Sequence, residues 1–214
     1  MNITALRPKF IKKLEPIAQF FAKTGITPNQ LTVLSLVCGI LCAALYANRF
    51  FIPGSIALVL SAVLDLVDGG VARINKKETS FGAVFDWIAD KYVDTIVILG
   101  IGISGVAILS RFAIIPPEWA VTADFTIICL AIIGSMMNTF IKPVVYAEIG
   151  FDERKDGKIF DPLEGIGFFG RPETMIILIL GGLTGLIWIS VIIVAVCTNL
   201  SAIQRILYLY RTIP

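Results

Sequence analysis

The sequence contains no histidine. That excludes histidine acid–base catalysis and histidine ligands to a metal. Charge is scarce too: Asp, Glu, Lys and Arg make up 16% of the 214 residues, where a soluble domain carries about 25%. The net charge of +2 gives nucleic-acid binding no electrostatic support, so no nucleic-acid partner is expected. The four cysteines, Cys38, Cys42, Cys129 and Cys197, all fall in apolar runs and form no Cys-x-x-Cys pair. They read as small core residues, not as ligands or disulfides. The N-terminus lacks the basic run, short apolar core and small-residue cleavage site of a secretory signal. No repeat of useful period and no second domain is visible, so residues 1–214 read as one membrane domain.

Apolar sequence is what the chain has in excess. Hydrophobic residues make up 57% of it and the mean hydropathy is +0.86. This predicts an all-α, multi-pass integral membrane protein surrounded by membrane lipids. Residues 7–23 have helical periodicity, with Phe10, Ile11, Leu14, Ile17, Ala18 and Phe21 on one side and Lys9, Lys12, Lys13, Glu15, Gln19 and Lys23 between them. Such a basic amphipathic helix suits the headgroup layer. Gly25-Ile-Thr-Pro28 then breaks the chain, and Asn29 is placed to cap the next helix. Six spans are expected within 31–210, at about 31–49, 54–75, 81–109, 120–148, 172–185 and 187–210, since a bilayer needs roughly 20 apolar residues per helix. Gly181, Gly182 and Gly185 are expected to form the turn that divides the last two. Residues 150–171 are the longest polar connection, with an insertion-like segment at 152–164.

Six spans put both termini on one side. Sixteen of the 18 Lys and Arg residues fall on or near that side, and only Arg49 and Arg111 fall opposite. The positive-inside rule makes the crowded side, with both termini, cytoplasmic.

The chemistry concentrates on that face. Asp65 and Asp68 end the second span; Asp86 and Asp90 begin the third. Spacings of three and four put each pair on one helix face. Consecutive antiparallel helices joined by a short basic loop bring the faces together. Four carboxylates cannot all stay ionised there without compensating charge. Divalent cations provide it, and an all-oxygen donor set suits Mg²⁺, Mn²⁺ or Ca²⁺. Four carboxylates can hold two ions, an arrangement that serves phosphoryl transfer. Gly69, Gly70, Ala72 and Gly82 let a ligand approach the backbone, and Arg73 offers a fork to a phosphate. The competing reading is a structural salt-bridge network. It needs basic partners within the spans, and Lys91 is the only one the sequence places deep enough. Intramembrane acids are seldom idle, which favours the metal site.

Asp65-x2-Asp68-Gly69-x2-Ala72-Arg73-x8-Gly82-x3-Asp86-x3-Asp90 resembles, without gap or substitution, the signature of the CDP-alcohol phosphotransferase family. The six-span layout and amphipathic N-terminal helix match as well. That family displaces CMP from a CDP-linked alcohol and joins the remaining phosphoryl group to a second alcohol. The resemblance implies a metal-dependent enzyme of phospholipid synthesis with two Mg²⁺ or Mn²⁺ ions held by Asp65, Asp68, Asp86 and Asp90. Asp90 also takes the proton of the attacking hydroxyl. Gly69, Ala72, Arg73, Thr79 and Gly82 line the pocket for the CDP-linked lipid donor, and Asn29-Gln30-Leu31-Thr32 closes on its diphosphate. A homodimer is implied too. Lys142, Arg171 and Arg205 resemble the basic acceptor positions of the phosphatidylinositol-phosphate branch, although Val144 stands where that branch has a second Arg. The polar acceptor implied is a phosphorylated polyol such as inositol phosphate. The alternatives are glycerol 3-phosphate, serine or free inositol, or a different class altogether, a cation transporter. Transporters of that kind show internal repeats and broken midplane helices, and neither is visible here. Asp94 lies outside the signature, placed to support Lys91 or the metal shell. For Lys142 and Arg205 the alternative is snorkelling to the headgroups.

Overall fold

The structure, a computed structural model, describes residues 7–112, 114–149, 154–155, 158–159, 163 and 165–213. Seven α-helices carry it: α1 (Arg7–Thr24), α2 (Pro28–Ala47), α3 (Phe51–Ile74), α4 (Ser80–Ile103), α5 (Ala120–Ile149), α6 (Arg171–Thr184) and α7 (Ile187–Thr212). Two 3₁₀ turns, Leu109–Arg111 and Pro117–Trp119, link α4 to α5. Inside the long polar connection, β1 (Arg154–Lys155) pairs antiparallel with β2 (Lys158–Ile159). Among the described residues the protein is therefore all-helical apart from one two-residue ladder.

Among the described residues, α2, α3, α5 with its preceding turn, and α7 are long and apolar enough to cross a membrane. α4 carries Asp86, Asp90, Lys91 and Asp94, and α6 has only 14 residues, about 21 Å at 1.5 Å per residue. Packing neighbours close a ring: α2 touches α3 and α4, α3 touches α6, α6 touches α7, α7 touches α5, and α5 touches α4. Val93, Val97, Ile98, Leu178, Val191 and Val194 fill its core. Large apolar side chains such as Val37, Leu41, Phe125 and Phe140 remain exposed. Soluble monomers rarely expose so much apolar surface; lipid is its natural cover.

Small and hydroxylated residues let these helices approach closely, as membrane packing favours. Ser35 Oγ donates to the Ser61 carbonyl and Ser61 Oγ to that of Ser35, both at 2.9 Å, fastening α2 to α3. The Tyr46 hydroxyl lies 2.9 Å from Ser55 Oγ and 3.2 Å from the Leu178 carbonyl, joining α2, α3 and α6. At Gly100, a Cβ would stand 2.9 Å from Ala43 Cα, so α4 meets α2 backbone to backbone.

Four local expectations are corrected. The cap of α2 is Thr27, not Asn29: Thr27 Oγ1 accepts from the Gln30 N–H while Gln30 Oε1 accepts from that of Thr27. Pro28 occupies the first helical position, so the cap lies two residues upstream of Asn29. The third span stops at Ile103 rather than 109, because Ser104 and Gly105, with φ 61°, turn the chain although the apolar run continues. Gly181 and Gly182 lie inside α6 as packing positions; Gly185 alone, with φ 74°, makes the turn. The N-terminal helix does not rest on headgroups alone. Its Leu14, Ala18 and Phe21 pack on Leu31, Val67 and Val71, whereas Ile17 and Phe20 are exposed. The side chains of Lys9, Phe10, Ile11 and Lys12 lie outside the described residues.

Candidate active site

Helices α3 and α4 deliver the acids. The Asn75–Thr79 loop between them turns through Lys76 at φ 52°. Thr79 then caps α4, its Oγ1 accepting from the Gly82 N–H at 3.0 Å. Across this turn Asp65 of α3 meets Asp86 and Asp90 of α4. One oxygen from each of the three lies within 4.8 Å of the others. Oxygens that close fit around a hard cation, whose bonds to oxygen run about 2.0–2.6 Å. Asp68 lies one turn beyond Asp65 and is buried, with its Oδ2 accepting from Thr32 Oγ1 at 2.6 Å.

A third helix brings a cation into this group. Arg171 opens α6 and forks among three acids: Nη1 to Asp65 Oδ2 at 2.8 Å, Nη2 to Asp90 Oδ1 at 2.8 Å, and Nε to Asp94 Oδ1 at 3.2 Å. Asp94 is fully buried and also takes Lys91 Nζ at 2.6 Å. Lys91 is therefore not the only base deep enough to serve the acids. The sequence hid the second because Arg171 sits 81 positions after Asp90.

Arg171 is held from behind. Gly170 N–H donates to Glu173 Oε2 at 3.0 Å. The Phe169 carbonyl accepts from Asn138 Nδ2 at 2.7 Å and from Ser201 Oγ at 2.8 Å. Arg205, buried, donates through Nε to the Ile166 carbonyl at 2.9 Å and through Nη1 to the Asn138 carbonyl. Helices α5 and α7 thus clamp the segment 166–170 that aims Arg171. Asn138 and Ser201 had no signal in the sequence: each looks like one more polar residue in a membrane helix. Lys142 follows Asn138 by one turn on α5 and is half-buried.

The start of α2 closes the other flank. Asn29 Oδ1 lies 3.2 Å from where a Cβ on Gly82 would stand. Gln30 is engaged in the helix cap. Leu31 is core, packed with Ala18, Val67 and Val71. Thr32 holds Asp68. Along α3, Gly69 keeps the backbone open; a Cβ there would stand 3.6 Å from the Arg73 guanidinium, which is exposed. Ala72 is half-buried beside it. The structure thus places the four signature acids, Thr32, Arg73, Thr79 and Gly82 around one end of α3 and α4. It brings Arg171 into direct contact with the acids and turns the described donor groups of Arg205 toward backbone carbonyls.

Residues 25–196 match the model of the CDP-alcohol phosphatidyltransferase family. An archaetidylinositol phosphate synthase of Pyrococcus horikoshii is 29% identical over 204 residues, covering 95% of this chain and 94% of the relative. A phosphatidylinositol phosphate synthase of Corynebacterium glutamicum is 30% identical over 176 residues, covering 81% of this chain and 70% of the relative. The crystal structure of Mycobacterium tuberculosis phosphatidylinositol phosphate synthase with CDP-DAG bound superposes with a TM-score of 0.68 at 24% identity, covering 92% of each chain. At that identity the likeness speaks to the fold.

Proposed function

The chain belongs to the CDP-alcohol phosphatidyltransferase family, and from that premise we propose that it transfers the substituted phosphoryl group of a CDP-activated lipid to a phosphorylated polyol, releasing CMP. Inositol phosphate is the acceptor we place first. The observation that carries the reading is the meeting of Asp65, Asp86 and Asp90 oxygens within 4.8 Å beside the Arg171 guanidinium. Carboxylates, a phosphate-binding fork and a family whose donor is CDP-linked meet in one place. Relatives named for inositol-phosphate lipid synthesis, matching nearly the whole chain, support the acceptor class. Glycerol phosphate ranks second, since it presents the same dianion. Family membership leaves no support for a cation transporter.

In this reading Asp65, Asp68, Asp86 and Asp90 hold two divalent cations, Mg²⁺ or Mn²⁺. When bound, such ions neutralise the diphosphate and stabilise the CMP leaving group. The chain's own groups do the rest. Asp90 accepts the proton of the acceptor hydroxyl, whose oxygen forms a bond to the lipid-side phosphorus. The bond from that phosphorus to the bridging oxygen breaks, and CMP departs with the electron pair. Arg73 and the open backbone at Gly69 and Gly82 receive the nucleotide, with Asn29 and Thr32 closing over the diphosphate. Lys142 and Arg171 hold the acceptor's phosphate by charge-assisted hydrogen bonds. Arg205, in addition to any direct contact, fixes the segment that presents Arg171.

We place all six helices of the ring across the bilayer, with the acids and both termini at the cytoplasmic face. The basic excess on that side supports this orientation. α4 crosses because its 24 residues reach about 36 Å at 1.5 Å per residue, and past Asp94 it is apolar from Thr95 to Ile103. The test of function is CMP release from a CDP-lipid across a panel of acceptors: inositol phosphate, glycerol 3-phosphate, serine and free inositol. Release with phosphorylated polyols and none with serine or free inositol is expected. The reverse order overturns the acceptor assignment, and release with none of them overturns the reaction class.

A further inference from the structure

We infer that Arg171 is the counter-ion of the metal-free carboxylates, and that cation binding transfers its two terminal nitrogens from Asp65 and Asp90 to the acceptor phosphate while Asp94 keeps hold of Nε. The inference rests on the proposed metal and acceptor sites and adds an order to them: cation first, acceptor second.

The geometry separates the three contacts by their fate. Nη1 and Nη2 go to Asp65 and Asp90, two of the three acids whose oxygens can share one cation. Nε goes to Asp94, which lies outside that group and is fully buried. A cation between Asp65, Asp86 and Asp90 competes for the two carboxylates that Nη1 and Nη2 pair with. It also repels a guanidinium only a few ångströms away, with little solvent to screen the pair. Asp94 is untouched by this competition, and Lys91 at 2.6 Å holds it in place. The pivot therefore stays and the fork swings. Its two freed N–H groups form the planar pair that matches a phosphate. The backbone of Arg171 need not move, because Asn138, Ser201 and Glu173 fix residues 169 and 170 behind it.

The arrangement also explains a pairing that either role alone leaves unaccounted for. An arginine dedicated to the acceptor has no reason to bind the proposed base, Asp90. A structural arginine has no reason to sit on two acids of a catalytic signature. A placeholder does both: it keeps the carboxylates from accumulating unbalanced buried charge and is released when the charge is supplied another way.

The experiment is Mn²⁺ titration of the detergent-solubilised full chain, followed by electron paramagnetic resonance, without donor or acceptor. Arg171→Gln, which removes the competing cation, is expected to tighten the Mn²⁺ Kd at least about fivefold, the low end of a typical coupling between sites. A Kd that is unchanged or weaker in a folded variant overturns the inference. If Arg171→Gln does not fold, the wild type supplies the answer: phenylglyoxal labelling read by mass spectrometry should rise at Arg171 when Mg²⁺ is added. Labelling that is unchanged or reduced overturns the inference. Mn²⁺ binding to neither wild type nor variant overturns the metal site itself and this inference with it, whereas Mn²⁺ binding that ignores Arg171 overturns this inference alone.

Discussion

Thr32 Oγ1 donates a 2.6 Å hydrogen bond to Asp68 Oδ2, and both residues are buried. This contact ties the first turn of α2 to the acid-bearing end of α3. The segment 29–32 and the acid signature are therefore one mechanical unit. One turn further along, the reciprocal Ser35–Ser61 bonds continue the same seam. A carboxylate at this depth needs donors as well as cations, and Thr32 supplies one that does not depend on either substrate.

Thr32→Val keeps the side-chain shape and removes that donor. The buried oxygen it leaves behind should cost about 1–3 kcal/mol. We expect a lower melting temperature by fluorescence-detected size exclusion and a reduced kcat. Thr32→Ser, which keeps the hydroxyl, should recover most of both. A Val variant as stable and as fast as wild type would show that the bond contributes nothing.

The helices were legible because apolar runs are long and their ends carry charge. The acid cluster was legible because spacings of three and four survive folding into helices without distortion. What the sequence concealed was of two kinds. Some was local: the apolar run past Ile103 masks the turn at Ser104–Gly105, and two glycines within α6 look like a break but serve close packing. The rest was long-range. Nothing in the order of residues says that Arg171 reaches Asp65, 106 positions away, or that Asn138 and Ser201 share the Phe169 carbonyl. Those contacts follow from the ring order of the helices, which hydropathy does not encode.

Gly100→Ala tests that ring. The added Cβ would meet Ala43 Cα at 2.9 Å, backbone against backbone, where no side chain can swing away. Overpacking of this kind costs about 1–3 kcal/mol. The melting temperature should fall without a change in acceptor preference. An unaltered melting temperature would mean that α2 and α4 can part at this crossing without cost.

Asp90→Asn should abolish turnover while leaving the protein folded and able to bind the CDP-lipid. Asn keeps the shape and removes both proton acceptance and a charge. Loss of a general base typically lowers the rate about 10²–10⁴-fold. A variant retaining more than about a tenth of the wild-type rate is incompatible with the base assignment. In parallel, removing divalent cations with EDTA should stop the reaction and Mg²⁺ or Mn²⁺ should restore it. Asp65→Ala should stay inactive in either ion. Full activity after verified metal removal would refute the metal site.

The last prediction separates the three cations first read as acceptor ligands. Arg171 and Lys142 are proposed to meet the phosphate itself, whereas Arg205 already gives Nε and Nη1 to the Ile166 and Asn138 carbonyls. Their alanine variants should therefore fail in different ways. At saturating Mn²⁺, Arg171→Ala should raise the acceptor KM and leave that of the CDP-lipid nearly unchanged. One lost charge-assisted hydrogen bond is worth about 1.5–3 kcal/mol, roughly ten- to hundredfold in kcat/KM. Lys142→Ala should move the same constant in the same direction. Arg205→Ala should lower the melting temperature as well, because the buried Asn138 carbonyl and the part-buried Ile166 carbonyl lose a donor and the clamp on residues 166–170 opens. Arg205→Lys should rescue little, since one ammonium cannot reproduce the planar reach of a guanidinium to two carbonyls. Steady-state kinetics with inositol phosphate, paired with melting curves, distinguishes the outcomes. An Arg205→Ala protein of normal stability with only its acceptor KM raised would return Arg205 to the ligand. An Arg171→Ala protein with an unchanged acceptor KM would remove Arg171 from it.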